Sequence, residues 1–371
     1  RALIGRGRAR CYHQVAAPAL SGVVRTMFGL WGLLLFGSPA VLSGTVAADA
    51  GIEYDSNPAR VPSDGSLGVL PQGSPLVRGL WSGSLAYAGP KQRLRLSATT
   101  TGKVFLTSEQ QQQNVLVAQL GYEHGAKIGR SLIVGTIDYY DAFQADAPQY
   151  LERDFRSLAA GGRFQSVRPL EGGHRIDGVL HLTGQLFHYK PDPLQSFVGP
   201  SLFAKLGGRV HAGDPELGHD FDLSVHGRGD YRIYGPVRRD VFVSVGGSIQ
   251  WQGPLLIQVG YSAQVNLSST ELESYQRHLP MLKLAFHLPG ELFVTMKGQL
   301  NLQKSALGLT VPIQSIDEDN RSLVLLDLER PLPKGFAISA RYCGYFSLPA
   351  DGTSPYQRHT ALLNFSYRFA R

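Results

Sequence analysis

Residues 219–233 read His-Asp-Phe-Asp-Leu-Ser-Val-His-Gly-Arg-Gly-Asp-Tyr-Arg-Ile, an alternation that a β-strand sorts onto two faces. One face carries Asp220, Asp222, Ser224, His226, Arg228, Asp230 and Arg232; the other carries Phe221, Leu223, Val225, Gly227, Gly229, Tyr231 and Ile233. An apolar row of that length has to lie against an apolar medium from end to end.

The pattern recurs in residues 92–106, 254–267, 290–303 and 355–369. Each runs for about a dozen residues, beyond the ~9–11 that a tilted strand needs to cross a bilayer and well beyond the roughly five to six typical of a soluble sandwich. In 254–267, Leu255, Ile257, Val259, Tyr261, Ala263, Val265 and Leu267 alternate with Leu256, Gln258, Gly260, Ser262, Gln264 and Asn266. Strand length and period together predict an all-β fold, a transmembrane antiparallel up-and-down β-barrel.

A mean hydropathy of −0.09 fits a chain half of whose strand residues face water. Its 43 glycines and 10% aromatics fit twisted, closely packed strands with interfacial aromatic girdles. Girdle candidates are Trp81, Tyr87, Tyr139, Tyr231, Trp251, Tyr261 and Tyr367.

Residues 27–42, an apolar run from Met27 to Leu42, are too short for a spanning helix, and small residues follow at Val46-Ala47-Ala48-Asp49-Ala50. This is the form of a secretory signal peptide cleaved near Ala47 to Ala50. The domain expectation is therefore 1–26 as a non-native or untranslated extension, 27–48 as signal peptide and 49–371 as the barrel. A start near Val23, Val24 or Met27 would leave Arg25 as the n-region charge. Removing residues 1–48 lowers the net charge from +7 to +2, with 31 basic against 29 acidic residues remaining. The high isoelectric point then gives no support for nucleic-acid binding. Cys11 leaves with the presequence and Cys343 stays alone, so no disulfide or thiolate metal site is expected.

Strands are expected near 47–57, 76–88, 92–106, 113–124, 130–143, 153–167, 174–189, 196–210, 218–234, 238–251, 254–267, 275–288, 290–303, 319–329, 334–347 and 355–369. That gives about 16, an even number as single-chain barrels require. The alternative is 14, with 304–318 an inward-folded loop and one strand pair lost, because 319–329 is apolar on both faces and 153–167 is rich in Ala and Gly. Short connections such as Ala88-Gly89-Pro90-Lys91 and Leu288-Pro289-Gly290 fall at even-to-odd junctions, and longer ones such as 58–75 and 304–318 at odd-to-even ones. Both mature termini are thereby expected on the short-turn, periplasmic side.

At the C-terminus Ala361, Leu363, Phe365, Tyr367 and Phe369 alternate with Leu362, Asn364, Ser366 and Arg368. This resembles the last strand that Gram-negative outer-membrane β-barrel proteins present to the barrel-assembly machinery, with Phe365, Tyr367 and Phe369 as the assembly signal. The family form ends on the aromatic residue, whereas here Ala370 and Arg371 follow. The resemblance, porin-like and covering the whole mature chain, implies the outer membrane of a Gram-negative bacterium, with membrane lipid and the assembly machinery as partners. Gly51-Ile52-Glu53-Tyr54-Asp55-Ser56-Asn57-Pro58 is also similar to the first barrel strand of surface lipoprotein assembly modifiers and polysaccharide-export barrels. Those relatives carry helical repeats ahead of the barrel, and none is expected here between residues 49 and 51.

Alternation assigns Arg93, Arg95, Lys103, Arg163, Lys205, Arg209, Arg228, Arg232, Lys297, Arg341 and Arg368 to the lumen, against Asp220, Asp222, Asp230, Glu291, Asp327 and Glu329. A barrel of ~16 strands encloses water unless plugged, and surplus positive charge there favours anions. The alternative is that the charges pair across strands, as Arg228 and Arg232 beside Asp230 suggest. The function expected is a passive channel for small polar or anionic solutes. An export or assembly barrel, or a structural or adhesive one, is the alternative. An enzyme is not expected: His174, His181 and His188 are seven apart and alternate faces, and no nucleophile, metal or phosphate motif occurs. No cofactor is expected.

Overall fold

The computed structural model describes residues 41–58, 70–89, 92–107, 115–144, 155–190, 193–212, 219–270, 273–305, 322–347 and 356–370. Its strand segments are β1 (Val41–Asp55), β2 (Ser74–Ala88), β3 (Gln92–Phe105), β4 (Val115–Ile128), β5 (Ser131–Gln144), β6 (Phe155–Pro169), β7 (Arg175–Tyr189), β8 (Phe197–Ala212) and β9 (His219–Tyr234). They continue as β10 (Arg238–Gln252), β11 (Leu255–Ser268), β12 (Tyr275–Leu288), β13 (Leu292–Gln299), β14 (Leu302–Ser305), β15 (Ser322–Pro331), β16 (Phe336–Ser347) and β17 (Tyr356–Ala370). Neighbours in sequence pair antiparallel, and β1 pairs with both β2 and β17. The sheet is thus a closed barrel, which leaves no strand edge bare to hydrocarbon.

β13 and β14 form one stave, so the seventeen segments make sixteen staves. Both halves pair with β12 in a single register, from Met281↔Gln299 on one side of the interruption to His278↔Leu302 on the other. The interruption lies at Pro280. The Leu300 N–H donates to the Pro280 carbonyl at 3.0 Å, and the proline nitrogen has no hydrogen to return. The neighbouring Asn301 N–H donates instead to Ser322 Oγ on β15, at 3.0 Å. Pro200 interrupts β8 and β9 in the same way, between Val198↔Ile233 and Ser201↔Asp230. The backbones close up there, and a Cβ on Gly199 would lie 1.7 Å from the Tyr231 carbonyl oxygen.

Burial is inverted relative to a globular protein. Leu223, Val225, Val243 and Val245 are 45, 58, 43 and 59% exposed, whereas Asp230 and Asp240 on the other face of the same strands are 3 and 1% exposed. The outer apolar belt is therefore a surface for lipid, and the polar residues are packed against one another inside. Two-residue turns such as Gly129–Arg130 join staves at one end. The other end carries longer connections, such as residues 56–73 and 306–321, with Gly235–Val237 the short exception.

Several boundaries differ from expectation. β1 begins at Val41, not 47, so the stretch 41–48, expected to leave with the signal peptide, is built into the wall along β2 from Val41↔Ala88 to Ala48↔Trp81. Expected segments 1–26 and 27–40 lie outside the described residues. Glu291, expected on the lumen face, sits in the turn before β13 with φ 60°, because Pro289-Gly290-Glu291 is the connection itself. The two-sided apolar segment is a true stave, β15, whose inward Leu323 is 7% exposed. The count is sixteen and not fourteen; residues 306–318 of the proposed inward loop lie outside the described residues. The girdle candidates all fall on the outer-face parity of their strands, but Trp81 stands mid-strand while Tyr87, Trp251 and Tyr367 lie near the turn end.

The tetrapeptide Tyr54-Asp55-Ser56-Asn57 closes the seam between first and last staves. Arg358 Nε donates to both carboxylate oxygens of Asp55, at 3.0 and 3.1 Å, and Arg358 Nη2 to Oδ2 at 2.6 Å. Asn57 N–H caps the same carboxylate at 3.0 Å, while the Ser56 N–H donates to the His359 carbonyl at 2.9 Å and Ser56 Oγ accepts from the His359 N–H at 2.8 Å.

Candidate functional site: the polar lumen

The inner wall is built from the residues that alternate with the exposed apolar row. Its arginines are largely held by aspartates two positions away or across a rung. Arg228 Nε and Arg232 Nη2 donate to the two oxygens of Asp230 at 2.8 and 2.7 Å, and Ser201 Oγ adds a third bond at 2.6 Å. Arg209 bridges Asp222 and Asp220, at 2.7 and 3.2 Å. Lys103 meets Glu53 at 2.9 Å with Arg78 beside it at 3.6 Å. Arg341 meets Asp327 at 2.6 Å and Arg163 meets Glu123 at 3.1 Å. Charge-assisted pairs of this kind are the strong hydrogen bonds of a protein, and they tie these side chains to one another along the wall.

Of the residues singled out from alternation, Lys103, Arg209, Asp220, Asp222, Arg228, Asp230, Arg232 and Arg341 therefore lie in ion pairs. Arg93 and Arg95 on β3 and Lys297 on β13 lie on the same inner face without an ion pair among the described residues, as do Lys205 on β8 and Lys283 on β12. Lys127 and Arg368 share this condition near the turn end. The carboxylates in that state on the inner face are Asp49, Asp138 and Glu329. The uncompensated charge of the described wall is thus positive.

Alternation alone missed Asp55, Asp240, Arg238, Arg277, Lys283 and Arg358. Arg238 and Asp240 close on each other at 2.5 Å immediately after the β9–β10 turn, where a turn signal hides the strand period. Arg277 is held by the Gln303 and Gln264 side chains, at 2.9 and 3.3 Å, and lies over the Tyr275 ring.

A row of rings also lines the inside. Tyr140, Phe155, Phe187, Phe197 and Tyr234 follow one another with centroid separations of 4.4, 5.0, 4.9 and 5.2 Å. Arg232 lies over Phe197 at 5.3 Å and Arg238 over Tyr234 at 4.2 Å. The row runs along the loop-side end of the wall: Tyr234, Phe197 and Phe155 are terminal residues of β9, β8 and β6, Phe187 lies two residues before the end of β7 and Tyr140 four before the end of β5. The rings face each other, so they stiffen this wall more than they offer their faces to the lumen.

The histidines do not converge. His181 faces inward, 3.2 Å from Thr136 Oγ1; His188 is 3.2 Å from Ser196 Oγ; His174 lies before β7, its Nδ1 accepting from the His211 N–H at 3.1 Å. No group of His, Cys, Asp and Glu among the described residues could hold a metal ion.

A closed sixteen-stave wall, an apolar outer belt, a charged interior and turns of unequal length at the two ends define a transmembrane β-barrel. No family model matches the chain, and no curated protein sequence is similar to it. Solved structures with a similar barrel include OccAB3 of Acinetobacter baumannii, at 11% identity and a TM-score of 0.47, covering 89% of this chain and 99% of that one. An anion-selective porin from Comamonas acidovorans is similar at 10% identity and a TM-score of 0.47, over 90% and 100% of the two chains. OccK2 of Pseudomonas aeruginosa, in complex with glucuronate, is similar at 9% identity and a TM-score of 0.45, over 88% and 98%.

Proposed function

We propose that the chain forms a water-filled channel through which small polar solutes, anions above all, diffuse across the outer membrane of a Gram-negative envelope. The observation that carries this reading is the charge state of the inner wall. Its aspartates and glutamates are mostly consumed in ion pairs, while Arg93, Arg95, Lys205, Lys283 and Lys297 are not. Fixed positive charge along a low-dielectric passage raises the local anion concentration.

The topology supports both mature ends facing the periplasm, since β1 starts and β17 stops at the short-turn end. The outward aromatic row Phe365, Tyr367 and Phe369 on β17 is the element offered to the barrel-assembly machinery, and the apolar run from Met27 serves as the export signal. Seam closure accounts for the Tyr54–Asn57 tetrapeptide, so the channel reading stands ahead of an export or assembly barrel.

The test is conductance of the refolded barrel in a planar bilayer, with reversal potentials in a potassium chloride gradient. Steady openings whose reversal potential lies toward that of chloride are the expected result. A folded barrel that stays silent rejects the reading, and cation preference rejects its anionic part.

A further inference from the structure

Lys283 on β12 and Lys297 on β13 are rung partners, and both lie on the inner-face parity of their strands. Side chains opposed in this way have Cβ atoms roughly 4.5–5.5 Å apart, and like charges so placed repel. Elsewhere in the wall, converging basic groups share a carboxylate: Arg228 and Arg232 share Asp230, and Arg78 and Lys103 share Glu53. Among the described residues the lysine pair has none. Its rung neighbours are Gln258 beyond Lys283 and Leu325 beyond Lys297. The carboxylate one layer away, Asp327, is committed to Arg341 at 2.6 Å.

Two half-buried lysines opposed on one rung of the inner face, with a glutamine on the next stave, can both reach one anion. We propose that Lys283 and Lys297 form a subsite for a compact dianionic oxyanion group of the phosphate class. Two unit charges are there to be neutralised, and the two ammonium groups carry six N–H donors between them, enough for acceptor oxygens pointing several ways. Gln258 supplies a further amide donor. A permeating solute carrying such a group pauses there on its way through the lumen. The proposal rests on the channel reading for its role in transport, but not for the binding itself.

The experiment therefore measures binding and conduction separately. Inorganic phosphate is titrated calorimetrically into the refolded chain in detergent, for wild type, Lys283→Gln, Lys297→Gln, the double variant and Lys205→Gln. Heat-modifiable gel mobility verifies that each is folded. Wild type is expected to bind one phosphate per barrel, with each single substitution of the pair weakening it roughly tenfold. The double variant falls short of the product of the two single effects, because the lysines act on one ligand. Lys205→Gln removes the same charge from the wall elsewhere and changes the affinity far less. In the bilayer, phosphate is expected to reduce the chloride current of wild type at lower concentration than that of either pair variant.

Equal losses for Lys205→Gln and the pair variants would replace the subsite by diffuse attraction and overturn the proposal, as would a folded wild type that binds no phosphate. A silent barrel that still binds phosphate through the pair would reject the channel reading and leave the subsite standing. A conducting barrel indifferent to phosphate would do the reverse.

Discussion

Arg358 and Asp55 clasp each other across the line where the last stave meets the first, the aspartate 0% and the arginine 4% exposed. Truncating one partner of a buried pair leaves an uncompensated charge, at a cost of about 3–5 kcal/mol. Asp55→Asn or Arg358→Gln should accordingly lower the urea midpoint of unfolding and the temperature at which the barrel loses its compact gel mobility. A midpoint unchanged within error would show that the seam is held by its backbone ladder alone.

Lys283 and Lys297 impose a cost on the fold that their removal should relieve. Replacing either by Gln is expected to stabilise the anion-free barrel by about 0.2–1 kcal/mol, the scale of a like-charge cross-strand pair. With saturating phosphate the order should invert, since ligand adds stability only where it binds. Urea titrations with and without phosphate decide this.

The first stave sets where export processing can fall. Cleavage near Ala47 to Ala50 would leave at most residues 48–55 of β1, short of the ~9–11 a strand needs to span, and would strip its rungs with β2 from Val41↔Ala88 to Ala47↔Ser82. The protein isolated from outer membranes should retain Val41. Intact mass and N-terminal sequencing give the answer, and a chain starting at Asp49 or Ala50 would contradict this arrangement of β1.

Charge on the outer belt should be poorly tolerated. Val245, 59% exposed in the middle of β10, faces lipid, and Val245→Arg should cost about 2–4 kcal/mol. Ser248→Arg, on the lumen face of the same strand, should fold with a smaller penalty and shift the reversal potential further toward chloride. Folding yield into vesicles and conductance separate the two effects.

The barrel was legible because lipid is a uniform partner: any apolar residue satisfies the outer face, so β9 shows unbroken alternation from Asp220 to Ile233. The ends of staves were not. Ser43, Gly44, Thr45, Ala47 and Ala48 are the small residues that suit a signal-peptidase site and a closely packed strand equally well, and nothing local distinguishes the two. Lys283 went unread because β12 carries Leu279, Met281 and Ala285 on its inner face and Leu282 and Leu284 on its outer one, which blurs the period. Ion pairing lay beyond reach for a different reason. That Lys103 meets Glu53 while Lys297 meets no carboxylate among the described residues follows from the register of strands far apart in sequence, and alternation gives only the face.

The β1–β17 rungs also make the wall a test of completeness. The partners at the seam are separated by 303 positions, so as the barrel assembles the opening stave has one bonded edge and waits for the other until the fifteen-residue β17 arrives. A chain that stops early cannot compensate by sealing elsewhere, because a bare edge in hydrocarbon has no water to turn to. Entry into the membrane as a finished cylinder thus reports that β17 was made, and products truncated before it carry their own mark for disposal in the two edges they cannot join.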